Sequence, residues 1–166
     1  CNTMTLGDSH TIQNHAAFIW QVADLLRGDY KQSEYGKVIL PLTVLRRLDA
    51  VLEATKPAVL ERKRFLDAHQ IAELDGALRM AAGQAFYNTS PYTLRDLRSI
   101  AQQQQLKANF EAYLDGFSPN VQDILTNFEF RNHIPRLSKA DALGTLIEKF
   151  LSPEINRRTD RYGGSL

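Results

Sequence analysis

"FIWQVADLLRGDYKQSEYGKVILPLTVLRRLDAVLE", residues 18–53, decides the fold, because its apolar letters keep one period from end to end. Phe18, Val22 and Leu25 fall three and four residues apart, and Ile19 and Leu26 widen the stripe, as in a helix with one face on a core. Asn14, just upstream, can cap that helix by accepting an otherwise orphaned amide. Gly28 stops it, since glycine reaches the left-handed conformation without steric cost. Ser33 can cap a second helix whose face is Val38, Leu42, Leu45, Leu48 and Leu52. Pro41 lies inside it. Proline cannot donate to the carbonyl of Lys37 and its ring crowds that turn, so a kink or break is expected there.

The helical period continues outward from this stretch. Pro57 suits the first turn of "PAVLERKRFLDAHQ", and "IAELDGALRMAAGQAF" follows with weaker stops at Gly76 and Gly83. Thr93 and Asp96 make an approximate capping box ahead of Leu94, Leu97 and Ile100. Leu106, Phe110, Tyr113 and Leu114 mark the next helix, with the glutamines 102–105 as an exposed turn or helix segment. Ser118 with Pro119, and Ser138 with Asp141, open two more, the last with the face Leu143, Leu146, Ile147 and Phe150. No stretch alternates with period two, so a βαβ arrangement has no strands to use. The expectation is an all-α fold, a single compact domain of about six to eight helices joined mostly by brief loops. The domain is expected over residues 12–152. Residues 1–11 read as a disordered or foreign tail, with Met4 as a natural start, and 153–166 as a linker or foreign tail.

With 43% hydrophobic and 23% charged residues, the 166-residue chain has enough apolar material for one core, which argues against wholesale disorder. A net charge of +1 leaves any nucleic-acid footprint to clustering rather than to totals. The single cysteine, Cys1, excludes an internal disulfide and a four-cysteine zinc site, and fits a reducing, cytoplasmic setting. No apolar run approaches the roughly 18–20 residues that span a bilayer, and the first residues lack the basic-then-apolar order of a leader. No membrane partner is expected.

Catalytic chemistry has little to stand on. There is no GxGxxG after a strand, no GxxxxGK[ST] and no Gly-x-Ser-x-Gly. His10, His15, His69 and His133 lack the i, i+4 spacing of a helical metal pair. Ser90-Pro91-Tyr92 in "NTSPYT" faintly echoes the [Asn/Asp/Ser]-Pro-Pro-aromatic loop of amino-methyltransferases. With one proline and no preceding strand, it reads as a loop before a helix. No catalytic, cofactor-binding or metal-ligating residue is therefore assigned. Basic residues do cluster: Arg27, Lys31, Lys37, Arg46, Arg47, Lys56, Arg62, Lys63 and Arg64, with Tyr30 and Tyr35 interleaved. Such a surface can neutralise backbone phosphates. Equally, it can be a solvated helix face, with Arg46 and Asp49 paired at i, i+3.

Three pieces in order, Leu26-Arg27-Gly28, the polar link from Tyr30 to Tyr35, and Ile39-Leu40-Pro41-Leu42 through Leu45-Arg46-Arg47-Leu48, resemble the opening of the modification (M) subunit of type I restriction-modification systems. "NFEFRNHIPRLSKADALGTLIEKF" (127–150) is similar to the same family's N-terminal domain, so the resemblance covers about residues 12–152. It implies a helical domain preceding a Rossmann-like domain that binds S-adenosylmethionine and methylates N6 of adenine in double-stranded DNA. It further implies a complex with a second M subunit, a specificity (S) subunit that reads the bases, and a restriction (R) subunit. The helical domain would help to clamp DNA and contact those partners. The family's cofactor motif and Asn-Pro-Pro-Phe loop are absent here, and "NRRTDRYGGSL" does not look like the continuation toward the methyltransferase domain. This chain alone is thus expected to hold no cofactor and to be inactive. The candidate DNA contacts are Arg27, Lys31, Lys37, Arg46 and Arg47. The alternative is a protein-docking module with no direct DNA contact.

Overall fold

Helix α1 (Leu6–Leu26) ends where the glycine signal places the stop. Gly28 has φ +99°, and the amides of Asp29 and Tyr30 turn back to the Leu26 carbonyl at 3.3 and 3.0 Å. The computed structural model describes residues 6–99 and 103–151, with side chains over 16–98 and 105–151. Residues 1–5 and 152–166, on which parts of the expected tails fall, and residues 100–102, with Ile100 and the first of the glutamines, lie outside the described residues. Because α1 starts at Leu6, Asn14 is interior to it and does not cap it. Ile19, expected on the apolar stripe, is 50% exposed.

A single 3-10 turn (Gln32–Glu34) leads into α2 (Tyr35–Leu52). Ser33 does not cap α2. Glu34 holds the N-cap position, and its carboxylate accepts the Lys31 amide at 2.9 Å. The helix also passes Pro41 without a break. Proline costs a helix interior about 3 kcal/mol, but Val38, Pro41, Leu42, Leu45 and Leu52 are all buried. At about 1.5–3 kcal/mol for each large apolar side chain, that burial outweighs the lost hydrogen bond.

The next elements are α3 (Lys56–Ala68), with Pro57 in its first turn, and α4 (Asp75–Ala82). Gly76 is the second residue of α4 and no stop, whereas Gly83 caps α4 at φ +69°. After an extended loop come α5 (Leu94–Ser99), α6 (Gln103–Asp115), α7 (Pro119–Asn127), α8 (Ile134–Lys139) and α9 (Ala142–Phe150). Thr93 and Asp96 form the expected reciprocal box before α5: each backbone amide donates to the other's side chain, at 2.9 and 3.2 Å. Ser118 stands at the N-cap of α7, but its hydroxyl donates to Asn120 Oδ1 rather than accepting from the first turn. Ser138 belongs to the last turn of α8, and Asp141, at φ +57°, precedes α9. Among the described residues there is no strand, and seven helices reach seven residues or more, so the all-α expectation holds.

α9 is the hub. It touches α1, α2, α5, α6 and α8, and Phe18 of α1 meets Phe150 of α9 edge-on at 5.0 Å. Phe110, Tyr113 and Phe130 fill the centre, fully buried, with the Phe110 and Phe130 rings at 77° to one another. α3 and α4 pack chiefly as a pair.

The loop between α4 and α5 is pressed against the end of α6 at Gly116. A Cβ there would lie 2.5 Å from Ser90 N and 2.9 Å from Asn88 Oδ1. Gly116→Ala is expected to destabilise the fold by about 1–3 kcal/mol, since the struck atoms include backbone that cannot yield. At Gly76 an added methyl would meet nothing within 4 Å, so Gly76→Ala should instead stabilise α4 by up to about 1 kcal/mol. Urea unfolding of the two variants reads both signs.

Candidate nucleic-acid interface

The five candidate cations separate into two environments. Lys31 and Lys37 flank the start of α2 and Arg47 lies on its outward side, all exposed and none in an ion pair among the described residues. Gly36, Leu40 and Thr43 share that outward side with Arg47. Ten residues of helix separate Lys37 from Arg47, about 15 Å along the axis. Arg27 is also exposed and is held by Asp24 at 2.9 Å.

Arg46 has to be removed from the set. It is only 5% exposed, and its Nε donates to the Phe150 carbonyl at 3.2 Å. One residue on a helix is a rotation of about 100°, which turns Arg46 inward where Arg47 points out. There it meets the carbonyl-rich, negative end of α9 and lends its charge to Asp49.

Asp49 and Lys56 form a second buried polar centre that the sequence does not announce. Asp49 Oδ1 accepts from the Tyr113 hydroxyl at 2.9 Å and from the Leu94 amide at 3.1 Å. Lys56 Nζ donates to Asn88 Oδ1 at 2.8 Å, to the Tyr92 carbonyl at 2.6 Å and to Ser90 Oγ at 3.4 Å. Asn88 in turn donates to the Tyr113 carbonyl at 2.9 Å. Burial raises the Asp49 carboxyl despite those hydrogen bonds and the nearby Arg46 and Lys56 charges. Burial also pushes the Lys56 ammonium down to about 8, against the pull of Asp49 and Asp96. Lys56 is thus a structural cation, although the sequence groups it with the exposed ones. Asn88, Ser90 and Tyr92 of "NTSPYT" are the partners of that lysine, as befits a loop before a helix.

A third cluster joins the α1–α2 link to α8. Arg136 Nη1 lies 2.8 Å from Glu34 Oε2, its Nη2 donates to Glu34 Oε1 and to the Asp29 carbonyl, and its guanidinium stacks over Tyr30 at 3.9 Å. The Tyr30 hydroxyl donates to the His133 carbonyl at 3.3 Å. The Arg136 hydrogen bond, followed by the Lys31 amide, holds the Glu34 carboxyl down at about 2. Nothing in the sequence pairs Glu34 with Arg136, which lie 102 residues apart. Their inclusion in the two stretches that carry the resemblance is the only mark they bear.

Comparison with known proteins settles the family. A family model described as HsdM N-terminal domain matches residues 15–150. The chain belongs to that family. No curated protein and no solved structure matches it. HsdM is the methyltransferase subunit of type I restriction-modification systems, so membership implies an S-adenosylmethionine-dependent parent enzyme within a type I complex. The described residues of this HsdM domain do not fit that cofactor: no strand leads into a glycine turn, and the polar side chains of the 88–92 loop are bonded to Lys56, Tyr113, Gly116 and Asn109. No described helix is long and apolar enough to cross a membrane, and no described cluster of His, Cys, Asp or Glu could hold a metal ion.

Lys56→Met removes the ammonium donor from Asn88 Oδ1 and the Tyr92 carbonyl, which keep only their Ser90 donors, and is expected to cost about 1–3 kcal/mol in urea unfolding. Above about 8 the folded chain sheds the Lys56 proton, whereas the unfolded chain keeps it to about 10.4. The stability advantage of wild type over Lys56→Met should therefore grow as pH rises through that window. Glu34 behaves in the opposite range: its contribution is present above the ordinary carboxylate value and is lost as pH falls toward about 2. NMR titration should find its carboxyl near 2, and in Arg136→Gln back toward the ordinary range. An ordinary Glu34 titration in the wild type would refute the clasp.

Proposed function

We propose that this HsdM N-terminal domain contacts the phosphates of double-stranded DNA through Lys31, Lys37 and Arg47, with Arg27 beside them. It would thereby help the parent adenine-N6 methyltransferase to clamp DNA whose bases a specificity subunit reads, alongside a second M subunit and a restriction subunit. The observation that supports this most is the state of those cations. Among the described residues, Lys31, Lys37 and Arg47 stand exposed along the link and one side of α2 in no ion pair, while Arg79, Arg95 and Arg131 are each neutralised by a carboxylate within 3.1 Å. Unpaired cations on a rigid element can displace the counterions of a duplex without first breaking internal bonds. Such contacts position the protein and bring little sequence choice, in keeping with base reading by another subunit. No chemical step is assigned to the chain itself.

Exposed apolar side chains favour a second role, docking on protein with no DNA contact. Trp20 of α1 is 64% exposed, and Leu40, between Lys37 and Arg47 on α2, is 55% exposed. A protein surface would bury Leu40; a sugar-phosphate backbone would leave most of it in water.

Salt-titrated binding to a nonspecific duplex separates the two. Phosphate contact predicts affinity that falls steeply with salt, with Lys31→Gln and Lys37→Gln each lowering the log–log slope by about one. Absence of binding at low salt would favour the docking role.

A further inference from the structure

Glu34 occupies a set of donors that suits a phosphate. Its Oε2 faces Arg136 Nη1 at 2.8 Å, and its Oε1 takes the Lys31 amide at 2.9 Å and lies 3.4 Å from Nη2. A guanidinium fork combined with a backbone N–H is a strong oxyanion-binding arrangement, and it is indifferent to whether the oxygens belong to carbon or phosphorus. Charges of both signs surround it. The ring of His133 experiences Glu34, Arg136, Lys37 and Glu129 together, which places Lys37 and Arg136 in one electrostatic neighbourhood. Asp29, whose charge acts on Arg136 and Tyr30, is the opposing acid on the link, and Glu129 is the one toward α8. The pair is open to solvent, with side-chain exposures of 42% for Arg136 and 23% for Glu34. An incoming anion can therefore reach the donors without unpacking the core.

We propose that Glu34 is the resident anion of a phosphate site built from the Arg136 guanidinium and the Lys31 amide. A phosphate entering between the link and α8 exchanges with the Glu34 carboxylate and takes over as the bridge. The exchange swaps one charge-assisted pair for another. In the free chain Glu34 acts as an internal competitor that keeps weak anions out. Once a phosphate is seated, the Lys31-bearing link is tied to the ligand rather than to the protein's own acid. Only the identity of the phosphate's carrier rests on the proposed DNA contact.

The site itself can be tested without DNA. The Glu34 carboxyl is followed by NMR in the 166-residue chain with inorganic pyrophosphate, and separately with a short nonspecific duplex at low salt. Glu34 is expected to leave its value of about 2 and return toward the ordinary carboxylate range as pyrophosphate binds. E34Q should bind pyrophosphate roughly two- to fivefold more tightly, and the gain should vanish in E34Q/R136Q. Absence of pyrophosphate binding, an unmoved Glu34 titration, or a gain that survives in the double variant overturns the proposal; the last would reveal general charge repulsion. A Glu34 response to pyrophosphate with no duplex binding keeps the site and removes the DNA contact. Duplex binding that depends on Lys31 and Lys37 while Glu34 stays fixed does the reverse.

Discussion

The buried ammonium of Lys56 is the constraint around which the middle of this domain is arranged. Apolar burial brings helices together but is indifferent to small slides, because it scales with area and not with direction. The stretch from Gly83 to Thr93 has no helical ladder to fix it. Its register is held by three hydrogen bonds to one lysine at the start of α3, by Asp49, which takes the Leu94 amide where α5 begins, and by backbone bonds from Thr89 to Gly116 and from Ser118 to Tyr87. Tyr113 links the two charges: its hydroxyl donates to Asp49, and its carbonyl accepts from Asn88, the partner of Lys56. A charge in low dielectric tolerates few geometries, so the group that costs most to bury also sets the position of its neighbours most sharply.

The clasp at Arg136 works under different rules. It lies at the surface, where water and salt weaken it, and it holds a link rather than a core. Stacking on Tyr30 and the bond to the Asp29 carbonyl give it shape as well as charge. The domain thus has one polar centre inside the core, and another at the surface that solutes reach directly. Exposed cations that are to meet an external anion belong beside the second kind.

Periodicity made most of the fold legible in the sequence. The stop at Gly28, the buried face of α2, the Thr93–Asp96 box and the apolar faces of α6 and α9 are local patterns, and local patterns are what a sequence displays directly. The misses have local causes too. Ser33 does not cap α2 because it lies inside the 3-10 turn, which ends at Glu34 and leaves that residue in the N-cap position. Pro41 did not break α2 because burial on both sides of it decided the matter. At the candidate interface, charge type was visible and orientation was not. Arg46 and Arg47 are adjacent identical letters, and only the packing of α9 shows which one turns inward. Lys56 looked like a surface cation because its partners, Asn88 and Tyr92, arrive from more than thirty positions downstream.

Three hydrogen bonds close almost the whole length of the domain: Tyr30 to His133, Glu34 to Arg136 and Arg46 to Phe150, spanning 103, 102 and 104 residues. On the ribosome, the first two helices are made long before α8 and α9 exist to receive them. Closing such distant pairs carries a chain-entropy cost before any contact repays it. The cover that α9 gives to α1 and α2 therefore arrives only when the end of the domain emerges, and the exposure of that N-terminal segment to wrong partners during synthesis is set by how fast the final stretch follows.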